Sequence, residues 1–101
     1  LREEPVVILS VLSKSFVDMY RVKATKEAGL PYSKLGEIFP ANVYKNKMFT
    51  LDNAANDGSR YTITQLKNAL DILSDADRRL KSTGEDGKIV LEEVSLRWLR
   101  L

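Results

Sequence analysis

The side chains best able to do chemistry in this chain are its carboxylates, and their spacing points them apart. Asp75 and Asp77 are two residues apart, and Glu92 and Glu93 are adjacent. On a helix, neighbours at one or two positions face different directions. Neither pair therefore forms the shared-proton dyad that general acid–base catalysis uses, and both read as solvated helix faces. Histidine and cysteine are absent, which removes the commonest general base, the commonest metal ligand, thiolate nucleophiles and disulfides. No Gly-Lys-Ser/Thr phosphate loop occurs. The polar stretch 52–57 lacks the Gly and terminal Glu spacing of a calcium loop and reads as a turn. The sequence predicts no catalytic residue, no cofactor and no metal.

Two positions stand out as departures from pattern. Asp77 falls in a leucine stripe where an apolar residue is expected, and an unpaired buried carboxylate costs several kcal/mol. It needs a partner: Lys81, one turn on, or Lys23, on the facing stripe of the first helix. On this reading a helix-packing ion pair joins Asp77 to Lys81 or Lys23, and Asp77→Ala lowers the thermal midpoint clearly. Trp98 is either core or an interface anchor, since Trp is enriched at binding hot spots. A helix with apolar groups on two faces can serve a partner as well as a core. Tyr20, Tyr32, Tyr44, Phe16, Phe39 and Phe49 read as core or rim. Lys45, Lys47 and Arg60, interleaved with Tyr44 and Phe49, read as a solvated face rather than a phosphate contact.

The elements that must carry these residues are helices divided by Gly, Pro and Asn. Residues 5–28 form the first, with Pro5 suited to its first turn, Glu3 and Glu4 at its positive end, and Gly29 as its stop. Leu9, Leu12, Phe16, Met19 and Lys23 share one face. Val7, Val11 and Val22 widen the apolar surface, so this helix is expected to be gripped on more than one side. A short helix over 33–39 groups Leu35, Ile38 and Phe39, with Ser33 as its cap, and ends before Pro40. A third, over 43–56, is capped by Asn42 and carries Val43, Lys47, Met48, Leu51 and Ala55.

Thr62 and Gln65 form a capping box, and Tyr61 with Leu66 a hydrophobic staple, at the start of the fourth helix. Its stripe is Ile63, Leu66, Leu70, Leu73, Asp77 and Leu80, and Gly84 follows its end. The last helix opens near Asp86 and runs to Leu101, with Leu91, Val94, Trp98 and Leu101 on one face and Ile89, Leu96 and Leu99 on another. No stretch alternates with period two. The fold class is all-α, a bundle of about five helices. Trp98, Leu99, Val11 and Val22 are the candidate interface residues.

With 101 residues, 44% hydrophobic and 30% charged, the chain is one domain's worth of sequence, too apolar for a disordered tail. No apolar run nears the ~20 residues a membrane span needs, and no signal-peptide arrangement is present. It reads as a soluble domain cut from a longer cytosolic protein. No block of like charge stands out along the chain, and with a net charge of +2 its pI of about 8.9 is borderline for a nucleic-acid-binding domain.

Over the last forty residues, Leu66-Lys67-Asn68-Ala69-Leu70, Leu73, Asp77, Leu80-Lys81-Ser82 and Leu91-Glu92-Glu93-Val94 resemble the C-terminal end of the delta subunit of the bacterial DNA polymerase III clamp loader. The earlier helices fit the same family in order and spacing. Trp98 departs from it, since the family more often has an aliphatic residue there. The resemblance implies a collar domain, which joins the loader subunits into a ring while their ATPase domains open the sliding clamp. The ATPase-like domains lie upstream in that family, and the delta subunit is itself not an ATPase. The implied partners are the collar domains of the other loader subunits. DNA and the sliding clamp are reached indirectly, within a cytoplasmic assembly that acts as a DNA polymerase, a nucleotidyltransferase. A ring of unlike subunits needs two different patches per domain, which the first and last helices would supply. The competing reading is a stand-alone helical DNA-binding domain.

Overall fold

The structure, a computed structural model, describes residues 4–39, 44 and 47–101. Its elements are α1 (Glu4–Glu27), a 3-10 turn (Tyr32–Lys34), α2 (Leu35–Ile38), α3 (Met48–Gly58), α4 (Ile63–Ser82) and α5 (Gly87–Trp98), with no strand among the described residues. The bundle is a flat slab of 41 × 29 × 19 Å. Its long axis matches the roughly 36 Å that 24 helical residues span at 1.5 Å each.

α1 is the central element. Leu9, Phe16, Met19 and Val22 are all buried on it, and it packs against α3 on one side and against α4 and α5 on the other. Gly29, at φ +80°, ends its run in a left-handed conformation that a side chain would strain. Gly84, at φ +67°, does the same after α4.

α4 begins as its sequence dictates. Thr62 Oγ1 accepts from the Gln65 N–H at 3.1 Å, and Gln65 Oε1 accepts from the Thr62 N–H at 2.9 Å. Tyr61, just ahead of the cap, packs on Phe16 with ring centroids 5.6 Å apart. The buried side of α4 is Leu66, Ala69, Ile72, Leu73 and Ala76. This face is rotated from the Leu70–Asp77 stripe toward the two alanines, whose small side chains let the helices approach closely. α5 is capped by Asp86, whose carboxylate accepts from the Lys88 N–H at 2.8 Å. Its inner side centres on Val90 and Val94, with Leu91, Trp98 and Leu101 packed beside them.

α1 and α4 run antiparallel. The turn between α4 and α5 lies at the start of α1, where Gly87 sits so close to Pro5 that an added Cβ would stand 2.6 Å from the proline ring. The opposite end of α4 follows Gly58 and Ser59, which border the groove that holds Lys23.

The middle of the chain differs from its sequence reading. Residues 33–39 are a 3-10 turn followed by a single α turn, with no side-chain cap from Ser33. Leu35 is buried but Ile38 is exposed. The third helix begins at Met48, because Lys47 has non-helical geometry (φ −121°, ψ 40°), and it continues to Gly58. Asn42 and Val43 lie outside the described residues. Phe49, read as core or rim, is 67% exposed.

Candidate interaction surface

The periodicity of α5 creates its outer face. With Val90 and Val94 turned inward, Ile89, Leu96 and Leu99 share the opposite side. Their exposures are 59%, 67% and 83%. Trp98 lies at the boundary, half-buried and edge-on to Phe16 at a centroid distance of 4.9 Å. It is a core-flanking side chain one residue from Leu99, the most exposed leucine among the described residues.

A second apolar face lies on the first half of α1, where Val7 and Val11 are exposed one turn apart. Val11 continues into a groove between α1 and α3 that is also lined by Lys14, Ser15, Asp18 and Thr50. No Cα of α3 comes within 8 Å of α4 or α5 among the described residues. The two faces therefore belong to separate flanks of the slab. Val22, grouped with Val11 as a candidate contact, is only 2% exposed. It is turned into the core, and an assembly partner cannot reach it.

Asp77 and Lys81 stand 3.1 Å apart with their side chains 36% and 59% exposed, an ion pair one helical turn long at the surface. Lys23 is not near them. It lies in a groove with Met19, Ala55 and Gly58, beside the start of α4. The antiparallel pairing puts Asp77 about 20 Å further along α4. The long-range pair is ruled out by direction, and the Asp77 stripe position proves to be the rim of the buried face.

The buried carboxylate is instead Asp18, 6% exposed. Tyr44 donates its hydroxyl to Asp18 Oδ1 at 2.6 Å, and Lys14 donates to Oδ2 at 3.3 Å. Arg21 donates to the same Tyr44 oxygen at 3.0 Å while its guanidinium lies 4.0 Å above the Phe39 ring. This network ties Phe39 and Tyr44 to the middle of α1. Burial, followed by the hydrogen bond to Asp18, raises the Tyr44 pKa above the usual phenol range. The only sequence signal for it is Lys14 four residues before Asp18; the essential partner is 26 positions away.

A second network fastens α4 to α5. Arg79 bonds Glu85 at 2.6 Å and Glu93 at 2.7 Å, and Asp75 takes Arg78 at 2.8 Å and Arg97 at 3.1 Å. The hydrogen bond from Arg79 pulls the Glu85 carboxyl down from its ordinary 4.5 to about 2. Asp75 is lowered as well, chiefly by Arg78. Asp75 and Glu93, each a member of a closely spaced acidic pair, are thus engaged in holding two helices together. Among the described residues no three acidic groups gather closely enough to hold a metal ion, and no helix is long and apolar enough to cross a membrane.

The architecture therefore offers two separated apolar faces on an internally cross-braced frame. Compared with known families, residues 1–98 match the model described as DNA polymerase III delta subunit, C-terminal domain. No curated protein and no solved structure matches the chain.

Proposed function

Because the chain belongs to the family formed by the C-terminal domain of the DNA polymerase III delta subunit, we propose that it is an assembly module of a clamp loader, joining loader subunits into the ring that loads the sliding clamp during DNA replication. The observation that supports this reading most is the pair of exposed apolar faces. One is on α5 at Leu96 and Leu99; the other is on α1 at Val7 and Val11. A monomer with no partner gains nothing from exposing so many large aliphatic side chains in two places. A member of a ring of unlike subunits needs two unlike contacts, of about 800 Å² per partner for a standard interface.

On this reading the module turns over no substrate. It supplies a fixed geometry, with the Arg79 network bracing α5 against α4 and the Asp18 network bracing Tyr44 against α1, while neighbouring domains change shape. DNA and the sliding clamp are met through other domains of the loader, in the cytoplasm.

Co-purification tests the proposal directly. The chain is expected to associate at micromolar concentration with the C-terminal domains of the other loader subunits. Leu99→Asp and Val11→Asp should each weaken one contact without lowering the thermal midpoint, since both side chains are solvent-exposed. No association by the unmutated chain, together with salt-sensitive binding of duplex DNA, would transfer the assignment to a DNA-binding domain.

A further inference from the structure

α3 is less enclosed than the other long helices. α4 lies between α1 and α5, but α3 comes close only to α1 and the 3-10 turn among the described residues. Its buried residues, Leu51, Ala54 and Gly58, fall three and four positions apart and form one seam along the helix. Two of the three are small. Gly58 lies so near Met19 that an added Cβ would stand 3.2 Å from it, and Leu51 is the one large side chain the seam buries. Close approach by small residues removes little apolar area from water, and that area sets the strength of the contact. α4, by contrast, buries Leu66, Ile72 and Leu73 besides its two alanines.

Grooves run along both sides of the seam. One, of about 290 Å³, is bordered by Ser15 and Asp18 on α1 and by Asn53 and Asp57 on α3. The other, of about 360 Å³, is bordered by Lys23 and Lys26 on α1 and by Ala55 and Gly58 on α3. Ala54 lines both, so one small side chain separates them at that level. Among the described residues the side chains of α3 make a single hydrogen bond, which Asp52 accepts from Tyr32 of the 3-10 turn at the surface. The start of α3 is held to α1 at second hand. The Lys47 N–H donates to the Tyr44 carbonyl at 3.1 Å, and the Tyr44 hydroxyl donates to the buried Asp18. At the other end the Tyr61 N–H donates to the Gly58 carbonyl at 3.1 Å, and the Tyr61 ring is anchored on Phe16.

We infer that α3 is a hinged flap, which swings away from α1 as a unit while α1, α4 and α5 stay folded. The turn at Gly58–Tyr61 is its pivot, and the hydrogen bond of Tyr44 to Asp18 is its latch. Leu51 and the side of α1 around Met19 lose their cover on opening, and returning them to shelter draws the flap shut. The apolar faces at Val7 and Val11 and at Leu96 and Leu99 belong to the part that stays folded, so opening leaves both in place.

Native-state hydrogen exchange of the whole chain, read helix by helix in low concentrations of guanidinium, tests this. In the unmutated chain the amides of α3 are expected to exchange faster than those of α4, and their rates to rise less steeply with denaturant, because a local opening exposes less surface than unfolding of the domain. Ile72→Val, which trims a buried side chain between α4 and α5, is expected to speed exchange in α4 roughly three- to tenfold and to leave α3 unchanged, since the open flap still contains an intact α4. Tyr44→Phe is expected to speed α3 and α4 alike, about five- to thirtyfold, since the latch is lost in both kinds of opening.

Equal acceleration of α3 and α4 by Ile72→Val, or one common denaturant slope for both, would show that α3 opens only with the whole domain and would overturn the flap. Unchanged exchange of α3 in Tyr44→Phe would overturn Tyr44 as its latch. The slopes are measured on the unmutated chain, so the flap stays open to refutation whether or not a variant folds.

Discussion

Two aspartates divide the labour differently from what their sequence positions suggest. Asp77 interrupts a leucine stripe, yet it is a third exposed and paired to Lys81 along its own helix; exposed pairs of this kind contribute only about 0.3–0.5 kcal/mol. Asp18 lies in a less conspicuous setting and is nearly inaccessible, held by Tyr44 and Lys14. Denaturant unfolding should separate them: Asp77→Ala is expected to change stability by no more than about half a kcal/mol, whereas Tyr44→Phe, which takes the hydroxyl from both Asp18 and Arg21, is expected to cost about 1–2 kcal/mol. Equal effects would refute this ranking. Sequence periodicity marked Asp77 because it reports one helix at a time. Asp18 depends on a tyrosine 26 residues away, and nothing local encodes that meeting. In the same direction as Asp75, Glu85 contributes a pH dependence. Its folded pKa of about 2 lies below its ordinary 4.5, so its contribution is complete above about pH 4.5 and is lost as the pH falls through 2. Thermal midpoints measured across that interval should decline less steeply in Glu85→Gln than in the unmutated chain.

Among the elements, those defined by local signals match the sequence reading closely. α1 stops at Gly29, α4 opens on the Thr62–Gln65 capping box, and α5 is capped by Asp86. These signals are short-range chemistry, satisfying free N–H groups or permitting a positive φ, and they act whatever the rest of the fold does. The start of α3 is less legible, because Lys47 breaks the helical geometry at a position whose residue type would continue it. Relative direction was also hidden. Lys23 and Asp77 share matching stripes, but antiparallel packing of α1 on α4 sends them to opposite ends. The close approach of α5 to α1 at Gly87 gives an element-scale prediction. A Cβ there would lie 2.6 Å from Pro5 Cγ and 3.7 Å from Leu80, and a proline ring cannot swing aside as a flexible side chain can. Gly87→Ala should therefore destabilise by about 1–3 kcal/mol despite alanine's better helix propensity. A stabilised variant in thermal unfolding would contradict the geometry.

At the scale of the molecule, one helix carries the rest. α3 meets neither α4 nor α5 by close backbone approach among the described residues, so α1 is the shared wall of both flanks. Native-state hydrogen exchange should be slowest along the middle of α1, around Phe16 to Val22, and fastest in α2, whose single turn has little buried area. Slow exchange confined to α4 and α5, with α1 open, would show that the α4–α5 pair is the stable unit instead. The same architecture explains why the fold class was legible while the exposure of individual residues along α1 was not. Amphipathic width announces that a helix has more than one neighbour, but not which side faces protein and which faces water. Val11 and Val22 look alike in sequence and part company only when the helices pack, which covers one and leaves the other bare.

The edge-on contact between Trp98 and Phe16 has a practical corollary. Trp98 is the chain's single tryptophan, half-shielded by the core and adjacent in sequence to Leu99. Its intrinsic fluorescence is therefore a built-in optical gauge, and its emission should shift toward the blue when a neighbour settles over the leucines and excludes water from the exposed edge of the indole. The proposed assembly can then be tested in real time on the unlabelled protein, and a variant that docks elsewhere would leave the spectrum where it began.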